Sequence, residues 1–598
     1  MITVEITISL WGERMHRNLR SFLDMLRKEQ QVVEIEAEVD PYLEIAEIHR
    51  RVIEDGGPVL LFKNVKGSPF PVVTNLFGTV DRVERAFGPR PEQIVKELIG
   101  AVETLLPPTV KGLWGQRNLF KDLSKIGMRV KPTGPVMEVE NSNFDMTSLP
   151  ALTGWHEDGG PFITLPLVYT EHPRTKEHNV GMYRIQIHET KQVGIHWQIQ
   201  KGGGFHYHEA ELQNQALPVT LFLGGPPALI VSAIAPIPDQ LPELLFTSFL
   251  MGDKLDMTNP VDAYHKLVAE AEFAFSGTVP PHVRRAEGPF GDHYGYYSLQ
   301  HDFPVFNIEK VWHRKDAIFP ATVVGKPTQE DFYIGDYLQT LLSPMFPMVM
   351  PGVKQLWTYG ESGFHTLAGA IVRESYYKEA LAHAFRIMGE GQLTLTKFLI
   401  VTDIDCNLAN FREFFEIVMA RFKPERDLLI INDSSMDTLD YTARGEINKG
   451  SKAIMMGIGD QHRELERQYT GGQLPGITDV QVYCGGCLVV SGDNFEKNPE
   501  LPAQLVKEQQ KLGNWVTVLI VDDAKETVAN QTSFVWTVFT RFNPASDIFA
   551  QSEVQHNKIR YTGPIIIDAR MKPVYPGVVE PREDIVELVS KRWKEYGI

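Results

Sequence analysis

Leu19, Phe22, Leu23 and Leu26 recur at the three- and four-residue spacing of one helix face, and Ile45, Ile48 and Val52 repeat that spacing one element later. The apolar runs PVLLF and PVVTNLFG follow, and Pro91 then opens a helix with Ile94, Val95, Leu98 and Val102 inward. This pattern predicts an N-terminal α/β domain ending near residue 125. From about residue 160 to 315 the period shortens to two. FITLPLVYTEHP, GMYRIQIHE, VGIHWQIQ, VTLFLGG, ALIVSAIAP and VFNIEKVWH read as strands between Gly, Pro and charged turns, as in an antiparallel barrel or sandwich. After residue 390 the chain returns to α/β: KFLIVTDID reads as a buried strand, and Phe411, Phe414, Phe415, Val418, Met419 and Phe422 form a helical stripe.

An internal repeat lies in this last region. Residues 399–427, LIVTDIDCNLANFREFFEIVMARFKPERD, align without a gap on residues 519–547, LIVDDAKETVANQTSFVWTVFTRFNPASD. Asp403 matches Asp523, Asn410 matches Asn530, and Arg421 to Asp427 match Arg541 to Asp547; the offset continues to DYT at 440 and RYT at 560. Identity at loop as well as core positions predicts a duplicated half-domain.

A chain of 598 residues exceeds one core and suggests about three to four domains. Its apolar share of 43% and charged share of 23% are those of an ordinary globular protein. The net charge of −17 argues against a general nucleic-acid binder, which would display excess Lys and Arg. No apolar run has the length of a membrane span, and the start lacks a basic segment followed by a sustained apolar stretch, so a cytoplasmic location is expected. Three cysteines exclude a disulfide framework. Cys484 and Cys487 form a CGGC pair, redox-active or half a metal site in principle, but without a second pair the simpler expectation is a small-residue turn between strands.

The stretch NVGMYRIQIHET carries the first candidate chemistry. Tyr183, Ile185 and Ile187 alternate with Met182, Arg184, Gln186 and His188, giving the strand one apolar face and one polar face. Arg184 offers a flat fork that matches a carboxylate, or it serves a structural ion pair. Glu287 and Asp292 flank the GPFG turn, which can direct both acids into one pocket or lie as a solvated loop. Asn179 and Glu243 supply hard oxygen ligands of the kind preferred by Mg²⁺, Mn²⁺ or a monovalent ion, although Glu243 also suits a helix start after Pro242.

NVGMYR, KGGG at 201 to 204, APIPDQLPE, AEGPFGDHYGYY, TKFLIVTDID and DTLDYTA, in this order, resemble the UbiD family of decarboxylases, which includes 3-octaprenyl-4-hydroxybenzoate carboxy-lyase and ferulic acid decarboxylase. The resemblance runs from HRNLRSFLDML to at least residue 460, and residues 1 to 14 are expected to be an extension or a misassigned start. It implies an α+β multidomain fold: an N-terminal α/β domain (1–125), a central FMN-binding split β-barrel (126–325), and a C-terminal α/β domain (326–470) with a duplicated unit and terminal helix (471–598). It further implies prenylated FMN, held through its phosphate by Mn²⁺ or Mg²⁺ and K⁺. Asn179, Gln200 and Glu243 fall on metal positions; Gly181, Met182, Gln200, Ser232 and Lys397 fall on or near cofactor-binding positions, as does Asn179. Arg184, Glu287 and Asp292 fall on the catalytic network.

One position departs from the family pattern. Gln200 stands where a His ligand is usual, and a carbonyl oxygen there supplies no imidazole nitrogen; His196, His206 or His208 are the nearby substitutes. The family also implies an aromatic acid as substrate, a flavin prenyltransferase as cofactor supplier, and a dimer or hexamer, with the closing amphipathic stretch EDIVELVSKRWKEYGI as an oligomer contact or a solvated helix. The longer, duplicated C-terminal half points to the menaquinone branch, with ubiquinone synthesis and phenolic catabolism open. An FMN oxidoreductase and a non-catalytic subunit of a carboxylase complex are the competing classes.

Overall fold

A computed structural model describes residues 16–88, 91–93, 95–96, 99–100, 124–198, 202–235, 241–326, 328–443 and 447–598. Gln200, residues 1 to 14, and Ile94, Leu98 and Val102 of the helix expected from Pro91 lie outside these residues. The chain forms two compact units: the described residues up to Leu341 together with Val578–Ile598, and Leu342–Gly577.

In the first unit, helices Leu19–Lys28 and Glu44–Glu54 form where the apolar spacing predicts them. Asn18 caps the first helix by accepting from the Ser21 amide, and Leu19, Phe22, Leu23 and Leu26 are its buried stripe. A four-stranded mixed sheet accompanies them, in the order Val32–Val39, Val59–Val65, Val72–Thr74, Phe319–Pro320. The larger sheet is antiparallel throughout. Its pairing path runs Phe162–Ile163, Ile185–Glu189, Gln192–Ile195, His301–His313, Ala271–Val279, Leu217–Gly224, Leu167–Glu171, His178–Gly181, with Arg284–Glu287 and Val139–Asn141 also paired to His301–His313. That path does not close into a cylinder among the described residues.

One expected strand is a helix. ALIVSAIAP contains the end of helix Pro227–Ser232, begun by Pro226 and Pro227 and buried on all sides. A short apolar run without a polar face looks the same to periodicity in either conformation, and the proline at the first helical position decides it.

The second unit contains two five-stranded sheets of the same strand order and polarity. Val353–Thr358, Leu367–Val372, Phe398–Thr402, Lys449–Gly457 and Leu428–Ser435 are matched in order by Ile477–Cys484, Cys487–Gly492, Thr517–Ile520, Lys558–Asp568 and Ile548–Gln555. The repeated residues do repeated work: Asn410 and Asn530 each cap a helix, accepting from Glu413 and Ser533 amides. Asp427 and Asp547 each accept from the backbone four residues earlier, at 3.1 and 2.8 Å. The sheets share one core in which Phe411 meets Phe534 and Phe539, with ring centroids 5.9 and 5.6 Å apart. Cys484 and Cys487 face each other across a two-glycine hairpin turn, and burial pushes the Cys484 thiol well above its ordinary value.

Val578–Ile598 groups with the first unit rather than closing the second. Its helix Glu583–Arg592 turns Ile585 and Val589 into the core that holds Ile45 and Ile48, so its apolar stripe is used within the chain. Tyr596 donates to Glu44 Oε1 at 2.7 Å, and Arg592 also pairs with Glu44.

Candidate active site

Arg184 directly precedes the strand Ile185–Glu189, and Glu287 ends the strand Arg284–Glu287, whose partner is His301–His313. Asp292 follows Phe290–Gly291, which pairs with Tyr297–Ser298 in a small hairpin. Three separate segments thus bring these side chains together. Arg184 Nε and Nη2 donate to the two oxygens of Glu287 at 2.7 and 3.0 Å, Nη1 pairs with Asp292, and Nη2 also donates to Ser298 Oγ at 2.9 Å. The guanidinium lies 4.8 Å from the Phe290 ring centroid.

The network is buried, with side-chain exposures of 8% for Arg184, 0% for Glu287 and 10% for Asp292. Burial alone would raise both acids. The charge of Arg184, with hydrogen bonds from His196 and Arg184, overrides it and holds Glu287 at about 2. Asp292 is likewise held below its ordinary range by Arg184 and by His293, whose Nδ1 is 2.7 Å from Asp292 Oδ1. Both acids are therefore ionised at neutral pH.

Supporting residues hold the turn between them. Gln186, two positions along the polar face from Arg184, donates to Gly159 O at 2.8 Å and accepts from Gly288 N at 2.9 Å. Asp158 accepts from the Gly154, Trp155 and Gly291 amides, and burial lifts its carboxyl to about 7. The backbone of Val579 donates to Gly295 O at 3.0 Å, so the C-terminal return segment lies against the turn that follows Asp292.

Asn179 and Glu243 form a second, oxygen-rich grouping. Glu243 opens helix Glu243–Met251, and its Oε2 accepts from Val180 N at 3.2 Å. Asn179 Nδ2 donates to Tyr183 OH at 3.3 Å, which leaves Oδ1 as the acceptor of that amide. A Cβ on Gly202 would fall 2.1 Å from that oxygen, so the glycine run is what allows the approach. Trp197 Nε1, near Gly203, is a buried donor without a hydrogen-bond partner among the described residues. This hard-oxygen pair, beside an unpaired donor, fits a divalent ion carrying an anionic ligand.

The substitute ligands do not complete it. His196 faces Glu287, His206 Nδ1 pairs with Thr170 Oγ1 at 2.9 Å, and His208 is exposed. Among the described residues no three His, Cys, Asp or Glu side chains converge as a metal centre. Gly181 ends the strand His178–Gly181, Met182 is half-buried beyond it, and Ser232 is buried and donates to Ala228 O at 2.7 Å. Lys397 belongs to the second unit, where it is fully buried 2.9 Å from Asp440 Oδ2.

Sequence reasoning missed Ser298 and Asp158, took His196 only as a substitute metal ligand and not as a neighbour of Glu287, and passed over Gln186 beyond placing it on the polar face. The antiparallel register explains His196: Ile185 pairs with Ile195, so Arg184 and His196 are the next pair, and His196 N donates to Arg184 O at 3.2 Å. Only the pairing reveals that neighbour.

Three family models match the chain: the 3-octaprenyl-4-hydroxybenzoate carboxy-lyase N-terminal domain at residues 23–102, the Rift-related domain at 128–327 and the C-terminal domain at 332–457. The chain is 48% identical over 582 residues to a 4-hydroxybenzoate decarboxylase subunit of Chlamydia pneumoniae, covering 97% of this chain and 98% of the relative. Among solved structures, the UbiD-class enzyme HmfF from Pelotomaculum thermopropionicum in complex with FMN is 25% identical, with a TM-score of 0.61, over 74% of this chain and 94% of that one. The closed form of Sedimentibacter hydroxybenzoicus vanillic acid decarboxylase matches in fold, with a TM-score of 0.65 and 23% identity over 78% of this chain and 97% of that one.

Proposed function

Since the chain belongs to the UbiD family of carboxy-lyases, we propose that it is a prenylated-FMN-dependent, reversible decarboxylase of an aromatic carboxylic acid. The observation that carries this reading is the buried convergence of Arg184, Glu287 and Asp292 from three segments of the first unit. The antiparallel sheet would serve as the family's split barrel. A hydroxyaryl or naphthoate acid of quinone biosynthesis is the proposed substrate class; the name of the Chlamydia pneumoniae relative, a 4-hydroxybenzoate decarboxylase subunit, supports the hydroxyaryl part of it.

Asn179 and Glu243, with Gln200, would hold Mn²⁺ or Mg²⁺, and the segment of Ser232 would hold K⁺. Gly181 and Met182 would contact the flavin. When bound, the prenylated flavin supplies an electron sink for the carbon that loses CO₂.

The protein's part is charge and proton placement. Arg184 offers its fork to the substrate carboxylate and orients the acid. Sharing the guanidinium with a third anion weakens its hold on Glu287, and burial then lifts that carboxyl from about 2. Glu287, once protonated, delivers its proton to the carbon after CO₂ leaves, while Asp292 keeps Arg184 anchored.

The test is mass spectrometry of the bound flavin from protein made with and without a flavin prenyltransferase, followed by CO₂ release from 4-hydroxybenzoate, a hydroxynaphthoate and other aryl acids. Prenylated FMN with CO₂ release is the expected result. Unmodified FMN supporting hydride transfer without CO₂ release overturns the proposal in favour of an oxidoreductase. A second reading, a non-catalytic subunit of a larger carboxylase complex, draws on the word "subunit" in the name of the same relative; CO₂ release by the purified chain alone excludes it. A cytoplasmic homo-oligomer, dimer or hexamer, completes the proposal.

A further inference from the structure

Decarboxylation of a carboxylate consumes one proton per turnover, since R–COO⁻ and H⁺ become R–H and CO₂. Glu287, the group assigned to deliver that proton, has a side chain with no exposure, so water does not recharge it directly. Its hydrogen-bond neighbours among the described residues are Arg184 and His196. A guanidinium does not release its proton in a protein. The imidazole is the remaining route.

His196 is built for that task. Its Nδ1 is 3.3 Å from Glu287 Oε2, and its ring packs on Phe303 with centroids 4.2 Å apart. On the far side, Nε2 is 3.5 Å from the amide nitrogen of Gln198. An ionised carboxylate only accepts, so Nδ1 of the neutral ring carries the hydrogen that points at Glu287 and Nε2 carries the lone pair. The His196 side chain is 10% exposed against 0% for Glu287, so the ring meets solvent where the acid does not. Arg184, Glu287 and Asp292 are the charged groups facing it; burial and Arg184 hold the ring below its ordinary value and therefore neutral.

We propose that His196 is the proton relay that recharges Glu287, a role that rests on the decarboxylase reading above. In one concerted step the Nδ1–H bond breaks as the Glu287 Oε2–H bond forms, and Nε2 takes a proton from solvent. The net change is one proton moved from water to Glu287, with no change in the charge of the ring. To reset, the ring turns toward solvent, releases the Nε2 proton to water and takes one from water on Nδ1, and then turns back to Glu287.

The variant that separates relay from simple support is His196→Asn, whose side-chain amide keeps a donor near the position of Nδ1 but carries no proton across. Steady-state CO₂ release should fall about 100-fold, deuterium from D₂O should enter the product carbon correspondingly slowly, and added imidazole should restore part of both. Wild-type turnover and exchange in His196→Asn would overturn the relay and leave a structural hydrogen bond. His196→Gln, with its amide at the other ring position, repeats the test if the first variant does not fold. Nitrogen-15 NMR of the histidine rings in the flavin-free wild-type chain supplies a readout independent of activity: protonated Nδ1 with bare Nε2 is expected, and the opposite tautomer overturns the proposal. Absence of CO₂ release from every aryl acid, with the expected tautomer present, would instead locate the failure in the decarboxylase reading and withdraw the relay with it.

Discussion

Replacing Arg184 with Met removes a cation that two buried carboxylates share. Side-chain volume is nearly kept, so the cost is electrostatic. Losing one partner of a buried ion pair costs about 3–5 kcal/mol, because the other charge is left without compensation. The sign of the pH dependence follows from the acids. In the wild-type chain Glu287 sits at about 2, below its value in the unfolded chain, so its contribution is fully present at neutral pH and is lost only as pH falls toward 2. In Arg184→Met, burial, the largest influence on each acid, outweighs the hydrogen bonds that His196 and His293 still make, and both acids move above their unfolded values; the folded variant then takes up protons, and its stability falls as pH rises. The gap between the two proteins should therefore widen from pH 5 to pH 8. Urea unfolding followed by tryptophan fluorescence should show the variant's midpoint lower by about 1 M or more at pH 8 and by less at pH 5. Arg184→Met/Glu287→Gln should recover part of the loss, since one of the two stranded charges is gone. Equal gaps at both pH values, or a double variant no more stable than Arg184→Met, would refute the claim that this network is an electrostatic unit.

Gln186→Leu removes both bonds that brace the turn, leaving the Gly288 amide and Gly159 carbonyl unpaired inside the protein; a loss of about 2 kcal/mol in urea unfolding and a lower kcat are expected, and an unchanged midpoint would show that the turn holds itself. Glu243→Ala should lose flavin and divalent metal together, read by absorbance and elemental analysis, while inactivity with both fully retained would remove Glu243 from the ligand set. Tyr596→Phe deletes the hydroxyl that donates to Glu44 Oε1 and should cost about 1 kcal/mol, with proteolysis at the C-terminal helix as the sensitive readout; unchanged protection would show that apolar burial alone docks the tail.

The range of the forces involved decides which features were legible in the sequence. Leu19–Lys28, Glu44–Glu54 and Phe411–Met419 follow from local periodicity, because one buried face imposes one spacing. The paired sheets of the second unit were legible because loop residues such as Asn410 and Asn530 recur with the core. Pro227–Ser232 was not, since a segment buried on every side has no period to read. The acids beyond Arg184 were reached through an ordered set of motifs and not through spacing, for Glu287 lies 103 residues away. Gln186 showed only its face, and His196 showed only its nearness to the Gln200 position, because its place beside Glu287 comes from a strand register that no local pattern encodes.

The charge of the network also sets how substrate and proton bind together. With His196 neutral, Arg184, Glu287 and Asp292 sum to −1, and a substrate carboxylate on Arg184 would make that −2 in a buried site. Two like charges about 5 Å apart repel by about 3 kcal/mol at an effective dielectric of 20. That energy corresponds to about 2 pKa units, enough to carry Glu287 from about 2 to above 4 before the added desolvation by substrate is counted. Binding an aryl acid should therefore draw a proton into the site, and more strongly as pH falls. Calorimetry at pH 5.5 and pH 8, each in two buffers of different ionisation enthalpy, measures that uptake directly. A fractional proton taken up at pH 5.5, smaller at pH 8 and absent in Glu287→Gln, is the expected result. Substrate binding with no proton uptake at pH 5.5 would show that the carboxylate does not enter this network, and Arg184 would no longer be its clamp.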